Sequence, residues 1–388
     1  MSHQPENSSI RADAGTTLWY TRCPVPTAFG LAVQIGLVED EFIKDPDVQF
    51  LGLRQSSDTK VHQSHFTHTQ KNSFRHGGNY PAIWAQANGA DTRVIGLSWV
   101  KGPYSILAHK DSKIKSAADL KGKRLLVLRR PHEPIDFAYA TALRTYEKAL
   151  ESVGLRLADV ELVERVIDRP FIAERWIGAE NTSIATKKNG VNRISDLATP
   201  LLRGEVDVVA DAVGIYSLRL EELLDLHVVF DQASLPNRID HANNSTPLTF
   251  AVNAALIKER PDLVARVYAR ALEAVGWSRD HRSESVRYVA REQSTSEALV
   301  EAAHGPDLAL TLETDLAPEK IEALRSQKAF LLTYGFIKRD FDLDAWIDPA
   351  PLNLARRLLE QRQSSGRIEY PVASNWIDST NVASCSLV

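Results

Sequence analysis

The sequence predicts an α/β fold of two lobes, in which the chain leaves the first lobe, builds a second one and returns. Strand-like and helix-like segments alternate over residues 16–253, which is typical of βαβ units and a mostly parallel sheet. Residues 254–363 read as helices, and 388 residues are more than one hydrophobic core usually organises. We expect residues 1–110 and 245–388 to form the first lobe and residues 111–244 an inserted second lobe.

The opening elements of the first lobe follow from short apolar segments. Between two of them lies a polar, histidine-rich stretch, Arg54 to Gly78, which shows no periodicity and is predicted to be a long loop. The predicted strands are Thr17–Tyr20, Val48–Leu53, Thr92–Leu97 and Tyr104–Ala108, and the predicted helices are Thr27–Gly36 and Tyr80–Ala87.

The second lobe opens with a capped helical turn, Ser116 to Arg124, which ends in a glycine. Strands and helices then alternate. The predicted strands are Leu125–Leu128, Val160–Val163, Val206–Ala210 and Val228–Phe230, and the predicted helices are Ile135–Val153, Ser195–Arg203 and Ile215–Leu224.

The strand Pro247–Asn253 is expected to return to the first lobe, and helices follow it. The stretch Gly366–Val388 is polar and aperiodic, which predicts a surface extension. The predicted helices are Pro261–Asp280, Ser283–Arg291, Ser296–Ala303, Pro318–Leu332 and Pro351–Gln363.

Composition narrows the class of protein. A hydrophobic content of 44% and a charged content of 25% are ordinary for a soluble domain, and a net charge of −4 gives no sign of nucleic-acid binding. Two cysteines exclude a disulfide framework and fit a reducing compartment. Met1–Ala14 lacks the apolar core of a signal peptide, and no stretch has the length of a membrane span. We expect a cytoplasmic protein without a membrane or nucleic-acid partner, and a monomer, since one cleft per chain suffices.

Cys23 is the first candidate functional residue. It follows the strand Thr17–Tyr20 and precedes Pro24 and Pro26, which hold the backbone extended. A rigidly presented, unpaired thiol suits a nucleophile or an acid. Free cysteine is also among the most buried residue types, so this run alone favours a structural role.

The histidine-rich stretch allows three interpretations. His62, His65 and His68 recur every three residues and could bind zinc, but no Asp or Glu lies between Thr59 and Ala90 to complete a site. In the second interpretation the stretch is a solvated loop, and the residues of the stretch alone favour it over the other two. In the third, the stretch forms an anion site: Arg75 offers a charged fork, Gly77–Gly78 offer unobstructed backbone N–H groups, and a histidine polarises a thiol.

Two runs in the second lobe resemble the type II periplasmic-binding-protein folds. They are Ala-Asp-Leu-Lys-Gly-Lys-Arg at residues 118–124 and Leu-Arg-Gly-Glu-Val-Asp-Val at residues 202–208. The resemblance implies a two-lobed α/β fold with extra C-terminal helices and a cleft between the lobes that binds a small solute. Such runs report the fold more than the ligand.

A second resemblance concerns the candidate site. Cys23-Pro24-Val25-Pro26, His65-Phe66-Thr67 with Gln70, and Arg75-x-Gly77-Gly78 resemble the aromatic sulfinate desulfinases of the dibenzothiophene desulfurisation pathway. The spacing of ten residues from His65 to Arg75 is specific to that resemblance. It spans about residues 16 to 355 and also includes Ala274–His281, Phe330–Thr333 and Leu343–Trp346.

The resemblance implies cleavage of the carbon–sulfur bond of a small aromatic sulfinate with water, without a metal or organic cofactor. It implies a catalytic role for Cys23, with His65 and Arg75, and sulfinate binding by Gly78 next to Gly77. Gln70 matches a residue near the family's site. Whether Cys23 donates a proton or attacks sulfur stays open. A shared site requires Cys23 to lie well within about 10 Å of Arg75, because hydrogen bonds reach about 3 Å.

This chain departs from the family at several positions. Thr21 replaces a serine, His68 replaces a tyrosine, and Arg129 to Arg175 shows no clear match. Phe137, Tyr139 and Trp176 are candidate pocket walls, although aromatic residues at such positions are more often core. Two alternatives are therefore kept: a non-catalytic binding protein for a sulfonate-like anion, and a cysteine-dependent hydrolase or lyase acting on another oxyanion.

Overall fold

The computed structural model describes residues 15–100, 104–168, 194–210, 215–306 and 308–365, and its strands form three sheets. In the first are β1 (Thr16–Arg22), β2 (Val48–Gly52), β3 (Ser73–Gly77), β4 (Thr92–Ser98), β10 (Leu248–Asn253) and β11 (Thr314–Asp315). In the second are β5 (Ser105–His109), β8 (Val209–Ala210) and β9 (Leu226–Asp231), and in the third β6 (Arg124–Arg129) and β7 (Glu161–Val166). The strand orders are β11-β4-β10-β3-β1-β2, β8-β5-β9 and β6-β7.

Helices cover the sheets. The early ones are α1 (Ala28–Gln34), α2 (Leu37–Phe42), α3 (Thr59–Thr67), α4 (Asn79–Ala87), α5 (Phe137–Glu151), α6 (194–202) and α7 (Ile215–Leu224). After β10 come α8 (Ala254–Glu259), α9 (Pro261–Asp280), α10 (Arg282–Gln293), α11 (Glu297–His304), α12 (Leu308–Leu312), α13 (Pro318–Thr333), α14 (Leu343–Trp346) and α15 (Ala350–Ser364).

The return to the first sheet is confirmed. β10 pairs with β3 on one side and with β4 on the other, although the second sheet precedes it in the chain. Each side of the first sheet has its own apolar cluster. One contains Leu18, Phe29 and Phe250, and the other contains Tyr80, Leu97 and Trp346. A third cluster, around Ile106, Leu125 and Tyr146, lies among the elements of the inserted segment.

The expectation of a mostly parallel arrangement is wrong. Three of the eight described strand pairings are parallel and five are antiparallel. The returning strand β10 accounts for two of the antiparallel pairings, since it runs against both of its neighbours, and β11–β4, β5–β8 and β5–β9 are the other three. The domain boundary at residue 110 stays a prediction. The pairing of β5 with β8 and β9 favours a boundary close to residue 104.

The predicted loop from Arg54 to Gly78 is also wrong, because it contains α3 and β3. Asp58 begins the helix, and its carboxylate accepts a hydrogen bond from the Lys60 N–H at 2.8 Å. The buried residues of α3 are Ser64, His65 and Phe66. A helix that buries polar side chains lacks the regular spacing of apolar residues from which helices are predicted, so α3 was not recognised in the sequence.

Some predictions fall outside the described residues: the Met1–Ala14 segment, Trp176, and the Gly366–Val388 extension with Cys385. In the part of the chain that is described, no helix combines the length and the apolar character needed to cross a membrane.

Candidate active site

Cys23 lies at the carboxyl end of β1, where the chain turns toward α1. The Val25 N–H donates to the Cys23 carbonyl at 2.8 Å, which fixes the backbone just after the thiol. The side chain is 7% exposed and contacts an apolar group formed by Val25, Val100 and Leu248. The thiol is therefore nearly buried and has apolar side chains on one side.

The parallel register of β1 and β3 brings the thiol to its neighbours. Thr21 pairs with Arg75 and Arg22 with His76, so the next position along β1, Cys23, lies beside Gly77. A Cβ atom on Gly77 would lie 2.1 Å from the Cys23 sulfur. Glycine at this position is therefore a steric requirement of the thiol's placement.

His65 reaches the thiol from α3, which covers this face of the sheet. Its Nε2 atom lies 3.8 Å from the Cys23 sulfur, and its Nδ1 atom lies 2.7 Å from the Thr21 hydroxyl oxygen. Both contacts are buried. The imidazole therefore connects a hydroxyl group to a thiol.

The hydroxyl partner has a chemical consequence. A carboxylate only accepts hydrogen bonds and would hold a proton on Nδ1, whereas the Thr21 hydroxyl can either donate or accept. When Thr21 accepts, Nδ1 carries the proton and Nε2 accepts from the thiol. When Thr21 donates, Nε2 carries the proton and donates to a thiolate. A neutral His65 can thus serve both states of Cys23.

Arg75 is the cation of the site, and two backbone carbonyls orient it. Its Nε donates to the His65 carbonyl and its Nη1 to the Gly78 carbonyl, each at 2.9 Å, while Nη2 lies 3.4 Å from the Cys23 sulfur. Burial lowers the pKa of the guanidinium below its ordinary value, and the nearby cysteine opposes that shift. Among the described residues, no carboxylate forms an ion pair with Arg75.

Two neighbouring histidines contribute no charge near neutrality. Burial, followed by repulsion from Arg75, lowers the pKa of His68 well below its usual range. The same two causes, with a smaller effect of Lys320, lower the pKa of His76 to about 3. His68 and His76 therefore add no positive charge to that of Arg75.

The structure brings four of the six predicted residues into direct contact: Cys23, His65, Arg75 and Gly77. Gly78 contributes its carbonyl to Arg75. Gln70 is placed differently. Its backbone N–H donates to the Ser64 hydroxyl and its carbonyl accepts from the Ser73 hydroxyl, both at 2.7 Å. Gln70 therefore shapes the turn from α3 to β3, and no described contact joins its side chain to the thiol.

The other candidate positions are also located. Phe137 is 6% exposed and its ring stacks on Phe66 at 6.2 Å, so it belongs to the core behind α3. The Tyr139 ring packs under the Arg129 guanidinium at 4.6 Å. Across the described ranges, no three His, Cys, Asp or Glu side chains converge as metal ligands would, so the zinc interpretation of His62, His65 and His68 is wrong.

Thr21 is a site residue that sequence reasoning did not select. It appeared only as a difference from the family. The signal was its position two residues before Cys23, since residues i and i+2 of a strand share a face. Its partner lies 44 residues away along the chain, so the sequence alone could not show the contact.

Comparison with solved structures defines the class of fold. The periplasmic aliphatic sulphonate binding protein SsuA from Escherichia coli superposes with a TM-score of 0.60 at 16% identity, over 86% of this chain and 92% of that one. The crystal structure of the desulfurization enzyme DSZB superposes with a TM-score of 0.64 at 22% identity, over 88% and 99%. These matches confirm the two-lobed α/β fold of the periplasmic-binding-protein type.

A particular relative is found in sequence. The 2'-hydroxybiphenyl-2-sulfinate desulfinase of Rhodococcus erythropolis is 26% identical over 372 residues, which cover 90% of this chain and 96% of the relative. The protein of the same description from Rhodococcus qingshengii matches equally. No protein-family model matches the chain. The resemblance read from the motifs is thereby confirmed, at nearly full length.

Proposed function

We propose that this protein is a desulfinase that cleaves the carbon–sulfur bond of an aryl sulfinate with water, giving the arene and sulfite. One observation carries the proposal. The buried thiol of Cys23 lies 3.4 Å from a guanidinium that has no described carboxylate partner and 3.8 Å from an imidazole. An anion and a proton donor can meet at such a site. The similarity to a desulfinase over 90% of the chain supports the choice of anion.

Arg75 is the group that binds the sulfinate. Its Nε and Nη1 are committed to the carbonyls of His65 and Gly78, so Nη2 is the donor directed to the thiol and its surroundings. Charge-assisted bonds from guanidinium to oxyanions are strong and directional. The apolar wall of Val25, Val100 and Leu248 suits the organic part of the substrate. Gly77 allows the thiol to lie this close to β3, beside the guanidinium.

Cys23 acts as the proton donor. Its S–H bond breaks as a C–H bond forms at the ring carbon that carries sulfur. The C–S bonding electrons then return to the ring, and sulfur dioxide leaves. Water adds to sulfur dioxide to give bisulfite and one proton, which restores the thiol. The balance is ArSO₂⁻ + H₂O → ArH + HSO₃⁻.

The electrostatics favour proton donation over attack by a thiolate. A bound sulfinate and a thiolate would be two anions beside one guanidinium, so the substrate keeps the thiol protonated until the proton is transferred. The His65–Thr21 pair supports this sequence, since a neutral imidazole accepts from the thiol first and donates to the thiolate afterwards.

The alternative chemistry is distinguishable. Attack of a thiolate on sulfur would leave SO₂ on Cys23, and acid quenching during turnover would show an adduct of about 64 Da by mass spectrometry. Proton donation predicts no such adduct and faster turnover for rings with electron-donating substituents. The substrate panel should include biphenyl-2-sulfinate, since a cysteine-to-serine mutant of DSZB has been crystallised in complex with biphenyl-2-sulfinic acid.

The same assay separates the second candidate function. The fold is shared with sulphonate-binding proteins, so tight binding of the whole panel without sulfite release would assign this protein to solute binding. Release of sulfite assigns the desulfinase. If aryl carboxylates in the same assay are converted and the sulfinates are not, the protein is an enzyme that acts on another oxyanion.

The cellular setting follows from the chemistry. A catalytic thiol must stay reduced, which a cytoplasmic location provides. All the groups used come from one chain, so we propose a monomeric enzyme. The reaction as written uses water and the side chains of the site, with no cofactor.

A further inference from the structure

We propose that Asn244 is a positioning residue that sets the orientation of Arg75 through Gly78. The inference rests on the proposed function only in assigning Arg75 to substrate binding. Asn244 is 8% exposed and lies in the segment that leads from the inserted lobe to β10. It touches neither Cys23 nor Arg75 in any described contact.

The first step is the dependence of Arg75 on Gly78. A guanidinium needs two fixed acceptors to point its third nitrogen in one direction. For Arg75 these acceptors are the carbonyls of His65 and Gly78, at 2.9 Å each. A shift of the Gly78 carbonyl would therefore turn Nη2 away from the Cys23 sulfur, which lies 3.4 Å from it.

The second step is the dependence of Gly78 on Asn244. Gly78 is the N-cap of α4 and has no side chain to bond the first amides of the helix. Asn244 supplies both acceptors instead. Its backbone carbonyl accepts from the Asn79 N–H at 2.8 Å, and its side-chain oxygen accepts from the Tyr80 N–H at 3.1 Å. Asn244 thus fixes the start of α4, where the Gly78 carbonyl is held.

Close packing reinforces these bonds. A Cβ atom on Gly78 would lie 2.7 Å from the Asn244 side-chain oxygen. The backbone of Gly78 has φ −50° and ψ 141°, which other residues adopt without strain, so this contact is the reason for glycine here. Gly78 is therefore enclosed between Asn244 on one side and Arg75 on the other.

Asn244 is itself held from the inserted lobe. Its N–H donates to the Asn243 side-chain oxygen at 2.8 Å, and the Asn243 amide donates to Gln232 at 2.9 Å and to Thr145 at 3.1 Å. The buried contacts therefore run from α5 through Asn243 and Asn244 to Gly78 and the guanidinium.

The test measures the reactivity of Cys23. All variants carry Cys385→Ser, so that Cys23 is the one thiol left in the protein. The rate of alkylation by iodoacetamide at fixed pH reports how well Arg75 stabilises the thiolate. A merely loosened structure would expose Cys23 and speed alkylation, whereas a displaced guanidinium slows it. We expect Asn244→Ala to slow alkylation about fivefold and to raise the KM for biphenyl-2-sulfinate by a similar factor, with a smaller change in kcat.

Two variants serve as controls. Asn244→Ser keeps a neutral oxygen near the Tyr80 N–H and should stay within about twofold of the parent. Ser296→Ala removes the cap of α11, where the serine hydroxyl accepts from the Leu299 N–H at 3.2 Å. It should alter neither alkylation nor KM.

Gly78→Ala gives a second measurement if Asn244→Ala fails to fold. The added methyl group collides with Asn244, so we expect slower alkylation and a higher KM. Where both single variants fold, the alkylation rate of the double variant Gly78→Ala/Asn244→Ala should be no slower than that of the slower single variant, because removing the Asn244 side chain relieves the collision.

Two results would overturn the proposal. One is alkylation of Asn244→Ala at or above the rate of Ser296→Ala. The other is a double variant in which the reductions of alkylation rate caused by the two single changes multiply. Should the parent release no sulfite, the desulfinase assignment fails and the alkylation rates still decide the role of Asn244.

Discussion

At the residue scale, the Cys23 thiol depends on a hydroxyl group that it does not touch. The Thr21 hydroxyl lies 2.7 Å from His65 Nδ1 and allows a neutral imidazole to face either state of the thiol. Replacing the hydroxyl by a methyl group would remove this contact with the buried ring nitrogen. The role of Thr21 is therefore testable without altering the thiol or the cation.

We expect Thr21→Val to lower kcat for sulfite release by about tenfold to a hundredfold, because the hydroxyl that orients His65 toward the thiol is lost and proton transfer by a positioned group contributes about a hundredfold or more. Thr21→Ser keeps the hydroxyl and should retain most of the activity. Steady-state sulfite release measures both variants. Equal rates for the valine variant and the parent would mean that the contact between Thr21 and His65 does not contribute to the reaction.

Gly77 is the second residue-scale test. Gly77→Ala places a Cβ atom 2.1 Å from the Cys23 sulfur, so the thiol must move from its position between His65 and Arg75. We expect activity to fall at least about a hundredfold and stability to fall by about 1–3 kcal/mol, the usual cost of overpacking. Activity and urea unfolding are both measured.

The matched control for Gly77 is Gly52→Ala in the same sheet. A Cβ atom there meets Tyr20 at 3.4 Å, which is ordinary contact. That variant should keep its activity. Full activity of Gly77→Ala would contradict the placement of the thiol.

At the element scale, sequence patterns predicted most of the longer apolar elements and missed several short helices and the two elements that carry His65 and Arg75. The helix Pro261–Asp280 is observed with the predicted bounds, because its apolar residues repeat every three to four positions. α3 and β3 were missed because they bury Ser64, His65, Arg75 and His76. Pattern reasoning assumes that buried residues are apolar, and an active site violates that assumption.

The site itself was predictable only in part. The spacing of His65 and Arg75 identified the residues through a resemblance, yet nothing local showed that Arg75 lies on the strand beside Cys23. That fact depends on the register of β1 with β3, which is set by the whole sheet. The contacts of Thr21 and Asn244 span 44 and 164 residues of sequence, which patterns over a short window do not detect.

β3 also carries a prediction about acid stability. His76 is fully buried, with its pKa lowered to about 3 mainly by burial, and its Nε2 lies 3.0 Å from the Ser98 hydroxyl. An unfolded histidine titrates near 6.5. The unfolded state therefore binds a proton that the folded state does not between pH 6.5 and about 3. The stability that His76 contributes is complete above pH 6.5 and falls as the pH falls through this window.

Between pH 7 and pH 5 the parent should lose about 2 kcal/mol of unfolding free energy through His76, because each pH unit below 6.5 costs about 1.36 kcal/mol. We expect His76→Asn to lack this loss. Urea denaturation at the two pH values measures the difference. An identical pH dependence in the variant and the parent would mean that His76 does not remain neutral in the fold.

At the scale of the whole molecule, the site is formed by elements that precede the inserted segment, and the chain that returns after that segment packs against them. β1 and β3 carry the thiol and the cation, while the segment that returns from the inserted lobe reaches the start of α4. The same fold serves solute binding in the sulphonate-binding proteins that it resembles. In the proposed function, the thiol beside Arg75 is the feature that adds chemistry to that fold.

Sulfite release from 2'-hydroxybiphenyl-2-sulfinate by the parent protein and by Cys23→Ser tests the role of the thiol most directly. Proton donation by Cys23 predicts equal amounts of arene and sulfite from the parent. It predicts a rate at least about a thousandfold lower for the variant, with sulfinate binding and unfolding temperature unchanged. Release of sulfite by Cys23→Ser at the parent rate, or binding without release by the parent, would contradict it.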